Sequence, residues 1–205
     1  EKAGLTPVVF ESSSFALSRA LIRGMHSSLP LLLVDIGAKK TVVAIFSGSS
    51  LRFAASIPIG GYNFTMAVAK ELHLNEIQAE KLKIKHGLTG LKEEKGKKVF
   101  EALVPVLSGL AGQIKQYIDY YATHPAHEHL KRKEAIYEIY ISGGGANLKG
   151  IENFFSAELK IPVHLGNPWV NILPEPLKEI PELPYRESLS YATTFGLALR
   201  GLNKT

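Results

Sequence analysis

The chain has 205 residues, of which 45% are hydrophobic, so it can form one large domain or two small subdomains, and global disorder is excluded. It contains no cysteine, which excludes disulfides and thiolate metal sites and fits a reducing compartment. The net charge of +5 permits acidic partners without indicating nucleic-acid binding. No apolar stretch approaches the roughly 20 residues of a membrane helix, so direct membrane insertion is not expected.

The first half of the chain predicts strands, then helices. Val8–Phe10 is an apolar strand, and Glu11–Ser14 offers N-cap residues for the helix that follows. Because an interior-type strand comes so soon after Glu1, we expect a fragment that begins in mid-fold. Three further strands follow at residues 31–35, 41–46 and 51–57, the last two joined by a hairpin at 47–50, and residues 58–61 end the sheet.

The helical part begins at Tyr62 or Asn63, and a second helix is capped by Asn75 and ended by Gly87. The polar stretch 88–98 is typical of a surface loop. Apolar residues at steps of three and four then predict a long helix over 99–121.

The last third returns to mixed structure. It predicts a polar, histidine-rich loop at 123–133, a strand at 136–141, a glycine turn at Ser142–Gly145 and a helix at 148–159. A short strand at 162–165, an irregular proline-rich segment at 167–184 and a helix at 188–202 complete the chain. The pattern is that of an α/β fold.

Asp35 opens the most informative turn, since it ends an apolar strand and precedes Gly37, Ala38 and Thr41. Such a turn can offer backbone N–H groups to an anion and a carboxylate to its metal ion. An ordinary hairpin, in which Asp35 binds local N–H groups and Thr41 fixes the turn, explains the same residues.

A second glycine cluster follows the strand at 136–141 and comprises Gly143, Gly144 and Gly145, with Asn147 close behind. Bare glycine N–H groups before a helix form an anion site, although a tight strand-to-helix connection also uses glycines. The cluster is neither a P-loop nor a dinucleotide-binding motif, because Ile151 and Leu148 stand where lysine and glycine are required.

Other candidate residues carry weaker signals. Glu80 and Lys83 share one helix face and can clamp a ribose and base, or form a solvated ion pair. Glu11 can orient water at a helix start, or simply favour the helix dipole. His124, His127 and His129 lack the spacing of a metal site.

Taken as an ordered set, these segments resemble the actin-like ATPases, specifically the FtsA/PilM family and most closely its type IV pilus branch. The resemblance is carried by Val34–Ala38, Ile57–Gly61, Ile141–Gly145, Gly166–Trp169 and Gly196–Gly201. It implies an α/β actin-like ATPase (ribonuclease H-like) fold. The chain would be domain II with a helical subdomain at about 62–121, and would lack most of domain I. Residues 1–29 and 186–205 would be crossovers flanking a nucleotide-binding domain at 30–185.

The resemblance also implies a site for ATP and Mg²⁺. Asp35 would face magnesium through water, with Gly37, Ala38 and Thr41 along the β- and γ-phosphates. Glu80 and Lys83 would hold adenosine, and the remaining nucleotide contacts would come from Gly143, Gly144, Gly145 and Asn147. Glu11 falls where relatives position water. ATP binding with weak or no ATPase activity is expected.

The function implied is a cytoplasmic scaffold of type IV pilus assembly, peripheral to the bacterial inner membrane through its partners. Those partners would be a PilN-like cytoplasmic tail and, through self-association, further copies of the chain. An FtsA-like cell-division or cytoskeletal ATPase and a sugar or acetate kinase of the same superfamily remain alternatives.

Overall fold

The fold is built on a five-stranded mixed sheet with strand order β3-β2-β1-β4-β5. The computed structural model describes residues 4, 6, 10–123, 135–174, 176, 178 and 180–202. The strands are β1 (Ser27–Ile36), β2 (Thr41–Gly48), β3 (Ser50–Ile57), β4 (Glu138–Ser142) and β5 (Val163–Leu165). The helices are α1 (Ser13–Leu21), α2 (Gly61–Leu72), α3 (Glu76–His86), α4 (Glu94–Thr123), α5 (Ile151–Leu159), α6 (Tyr185–Ser188) and α7 (Ala192–Leu202).

Strand β1 is the centre of the sheet because its apolar run is buried on both faces. It pairs antiparallel with β2 and parallel with β4. Leu32, Val34 and Ile36 face a large core shared with α2, α4 and α5, whereas Leu31 and Leu33 face a smaller core under α1. This alternation places one helical layer on each face of the sheet.

Helix α1 lies against α7 so closely that the backbones touch. A Cβ atom built on Gly196 would lie 1.8 Å from the carbonyl oxygen of Ala16. Arg19 strengthens the same contact, since its guanidinium donates a hydrogen bond of 2.8 Å to the Gly196 carbonyl oxygen. Only glycine at position 196 permits this crossing.

The strands at 31–35, 41–46 and 51–57 and the hairpin at 47–50 are confirmed. The N-caps that the sequence predicts are also present, since Ser12 and Asn75 accept hydrogen bonds from the backbones of Phe15 and Gln78. Val8, Val9 and the histidine-rich stretch 124–133 lie outside the described residues.

The polar stretch 88–98 was wrongly predicted as a loop throughout, because α4 already begins at Glu94. Its first turn lacks an apolar stripe, and the buried residue there is Gly96, which packs on the Gly90 backbone. Two other helices begin later than predicted. A 3-10 turn over Gly144–Asn147 precedes α5, and another over Leu189–Tyr191 precedes α7.

Candidate functional site

Asp35 and the glycine turn meet at one end of the sheet, where the neighbouring strands β1 and β4 finish. Because β1 and β4 run parallel with Asp35 opposite Ser142, the ends of both strands emerge side by side. The Ser142 hydroxyl donates to Asp35 Oδ1 at 3.3 Å, and the Thr193 hydroxyl of α7 donates to Oδ2 at 3.2 Å. Three distant parts of the chain therefore converge on one carboxylate.

The hydrogen bonds to the Asp35 carboxylate only partly offset the cost of burying its negative charge. Burial raises the pKa of Asp35, and the hydrogen bonds from Thr193 and Ser142 lower it by less than burial raises it. No described lysine or arginine forms an ion pair with it. A divalent cation with its water shell would supply the missing positive charge, so the environment of Asp35 fits a metal ligand.

The β1–β2 turn is held from one side by the start of α2. The N–H groups of Gly61 and Tyr62 donate to the carbonyl oxygens of Gly37 and Ala38 at 2.9 and 2.8 Å. In a trans peptide the C=O and N–H groups point in opposite directions. The N–H groups of Ala38 and Lys39 therefore point away from α2, and neither has an acceptor among the described residues. They are two free donors suited to an anion.

The glycine turn splits into packing positions and one open position. A Cβ on Gly143, whose φ is +83°, would lie 2.5 Å from Asp35 Oδ1, and one on Gly145 would lie 2.3 Å from Ile36 Cγ2. Gly144 is exposed, and its nearest neighbour would be the Ser190 hydroxyl at 3.6 Å. The tight connection thus explains Gly143 and Gly145, but packing does not require a glycine at 144.

Asn147 ends the same turn. Its Oδ1 atom is buried and accepts no hydrogen bond from the described residues. An unused acceptor at this place is compatible with a ligand that carries hydroxyl or amine donors.

Glu80 and Lys83 form a cluster with Thr65 rather than an isolated surface pair. Lys83 Nζ donates to Glu80 Oε2 at 2.7 Å and to the Thr65 hydroxyl at 2.9 Å, and that hydroxyl donates to Glu80 Oε2. Burial raises the pKa of Glu80, but the hydrogen bonds from Lys83 and Thr65 outweigh it and the net pKa is lowered. Lys83 also reaches the Gly61 carbonyl oxygen at 3.4 Å, which joins the cluster to the start of α2.

Two of the expected site residues have structural partners instead. The Thr41 side chain is completely buried and donates to the Ile59 carbonyl oxygen at 2.7 Å, so it fixes the turn and does not face a phosphate. The side chain of Glu11 is only 4% exposed and accepts hydrogen bonds from Arg19 and Arg200 at 2.6 to 2.7 Å. Its carboxylate is therefore held in the α1–α7 contact rather than available to orient water.

Sequence reasoning missed the hydroxyl groups that support the site. Thr193 lies 158 positions from Asp35, and Thr65 lies 15 positions from Glu80. Neither threonine stands in a local motif, so only the tertiary fold brings it to its carboxylate. Among the described residues, no group of three or more histidine and acidic side chains is arranged to hold a metal ion. The described helices also include none with the length and hydropathy needed to cross a bilayer.

Comparison with known proteins gives consistent matches. The family model described as type IV pilus assembly protein PilM matches residues 1–202. The cell division protein FtsA of Buchnera aphidicola subsp. Baizongia pistaciae is 26% identical over 178 residues, covering 78% of this chain and 42% of that protein.

Solved structures show the same fold. A chain of the PilM-PilN type IV pilus biogenesis complex superposes with a TM-score of 0.76 at 24% identity, covering 98% of this chain and 55% of that one. MreB5 of Spiroplasma citri bound to AMPPNP superposes with a TM-score of 0.71 at 15% identity, covering 99% and 62%. The fold is therefore that of the actin-like ATPases, and this chain spans about half the length of the proteins it matches.

Proposed function

Because the chain belongs to the type IV pilus assembly protein PilM family, we propose that it supplies one wall of an ATP site in an actin-like scaffold of pilus assembly. One observation carries the proposal. Asp35, the free N–H groups of the β1–β2 turn and the glycine turn lie together at the end of the sheet where β1 and β4 finish. A metal-bound triphosphate needs a carboxylate, anion donors and close backbone approach together.

In this proposal each residue has a limited task. Asp35 holds Mg²⁺ through water, and the N–H groups of Ala38 and Lys39 bind phosphate oxygens beside Gly37. Gly144 would leave room for the nucleotide, while Gly143 and Gly145 allow the turn after β4 to lie against the end of β1. Glu80 and Lys83, fixed by Thr65, form the adenosine side, with Asn147 as a further acceptor. When bound, Mg²⁺ neutralises phosphate charge.

We further propose ATP binding with little or no turnover. This is supported by Glu11, the acid expected to orient water, which is engaged by two arginines. Nucleotide binding would then favour one conformation of the scaffold, without continuous hydrolysis. The proposed partner is a PilN-like cytoplasmic tail, which would place the protein at the inner membrane.

Thermal unfolding of the full-length protein with Mg-ATP, against Mg²⁺ alone, tests the ATP site. Ligand at about 100 times its Kd stabilises the folded state by about 2.7 kcal/mol. Asp35→Ala should abolish the shift, whereas Asp119→Ala, the same substitution at an exposed position of α4, should keep it. Gly144→Ala should fold normally and lose most of the shift. Equal shifts in the wild type and both site variants would refute the proposed site.

The sequence similarity to FtsA favours a second candidate, a cytoskeletal protein that polymerises at the membrane. Co-sedimentation of the full-length protein with liposomes, with and without ATP, separates the two. Pelleting in the absence of pilus proteins would favour the FtsA-like function.

A further inference from the structure

The tip of the β1–β2 turn carries two adjacent cations that no described carboxylate neutralises. Lys39 and Lys40 are both exposed, and neither takes part in an ion pair among the described residues. By contrast, Lys83 and Lys85 each have a carboxylate partner, at 2.7 and 3.1 Å. The charge of the lysine pair is therefore available to a ligand.

These lysines belong to the same short turn as the free N–H donors. The Gly37 N–H group donates to the Lys40 carbonyl oxygen at 3.0 Å, which closes the turn, and α2 holds its other side. The backbone of the turn is thus fixed, and the free N–H groups of Ala38 and Lys39 point away from α2. The exposed, positively charged side chains of Lys39 and Lys40 therefore extend from a turn with a fixed backbone and two N–H groups that can bind an anion.

We propose that Lys39 and Lys40 are specificity-determining residues that make this site prefer a nucleoside triphosphate over the diphosphate. This inference rests on the proposed ATP site and names the part of the nucleotide that the turn distinguishes. The terminal phosphate adds negative charge at the end of the ligand farthest from adenosine, and the ammonium groups of the two exposed lysines can bind it there. For exposed charges a few ångströms apart, the combined effect is about tenfold in affinity and weakens as salt rises.

The test replaces both lysines by glutamine in the full-length protein. A matched control carries Lys97→Gln and Lys98→Gln, which are also adjacent and exposed but lie at the start of α4. Mg-ATP and Mg-ADP are titrated calorimetrically into each protein at about 50 mM and about 300 mM KCl, which differ strongly in charge screening. Displacement by tripolyphosphate, which has no adenosine, reports on the phosphate side alone.

The double variant at 39 and 40 should bind Mg-ATP about tenfold more weakly, bind Mg-ADP nearly as before and show a smaller salt effect. Tripolyphosphate should compete less well, and the control should match the wild type. An unchanged ATP-to-ADP preference would overturn the inference while the ATP site stands. Wild-type protein that binds neither nucleotide would overturn the ATP site and the inference together. Thermal melting of the variant and of each single substitution checks that all remain folded.

Discussion

Substitution of Gly196 by alanine is expected to separate α1 from α7. The added Cβ would lie 1.8 Å from the Ala16 carbonyl oxygen and 2.5 Å from its carbon, distances at which atoms overlap. The neighbour is backbone inside a buried helix, so it cannot rotate away as a side chain would. The helices must move apart, and the Arg19 hydrogen bond to the carbonyl oxygen at 196 lengthens with them.

Two opposing effects determine how far Gly196→Ala lowers the free energy of unfolding. Overpacking a buried contact costs about 1–3 kcal/mol, and a clash with backbone lies at or above the top of that range. Alanine regains about 1 kcal/mol of helix propensity. A net loss of about 2 kcal/mol follows, which for a domain of this size lowers Tm by roughly 4–8 °C.

Urea unfolding of wild type, Gly196→Ala and Gly112→Ala measures this loss. Gly112 lies inside α4 with no atom within 4 Å of a built Cβ, so alanine there should raise stability by about 0.5–1 kcal/mol. The pair carries the same chemical change in opposite environments. If Gly196→Ala proves as stable as Gly112→Ala, the direct backbone contact between α1 and α7 is not present in solution.

Three further substitutions test the charges and glycines of the fold. Glu11→Gln should lower the free energy of unfolding by about 2 kcal/mol at neutral pH, because Arg19 and the partly exposed Arg200 would keep only a neutral partner. Hydrogen bonds from Arg19 are the largest cause that lowers the pKa of Glu11 below its ordinary 4.5. In chemical unfolding, the difference in stability between the wild type and Glu11→Gln should therefore vanish as the pH falls below 4.5 and Glu11 becomes protonated. Asp35→Asn should unfold at a higher temperature than the wild type without ligand, because burial raises the pKa of Asp35 and its ionised form destabilises the fold at neutral pH. That gain should shrink toward pH 3.8 and be accompanied by loss of stabilisation by Mg-ATP; a less stable variant at neutral pH would contradict the argument. Gly143→Ala should be far less stable than Gly144→Ala in urea, because only at position 143 would the added Cβ clash with Asp35 and the backbone have a positive φ.

The elements were predictable wherever local pattern dominates. Continuous apolar runs located β1 and β2, the turn signal at 47–50 located β3, and the capping residues Ser12 and Asn75 marked helix starts. The start of α4 was hidden because its first turn is charged around Gly96. Charge and glycine argue for a loop, and only packing on Gly90 outweighs them.

The site was predictable in position but not in detail. The order of motifs placed Asp35 near the glycine turn, which the pairing of β1 with β4 confirms. Sequence could not show that Thr41 points inward, because both orientations suit a residue that follows a turn. Nor could it separate Gly144 from its neighbours, since the difference lies in contacts with Ile36 and Asp35 from a distant strand.

The pairing of β1 with β4 also determines when during folding the site appears. Asp35 and Ser142 are 107 positions apart, and the helices α2, α3 and α4 lie between them in sequence. The β1–β2–β3 meander can form from local contacts, whereas docking β4 must close a long loop and is entropically slower. We therefore expect the meander to form before Gly143 reaches Asp35. We therefore expect Asp35 and the glycine turn to come together in the last stage of folding, so that the proposed nucleotide would bind the finished domain and not its early intermediates.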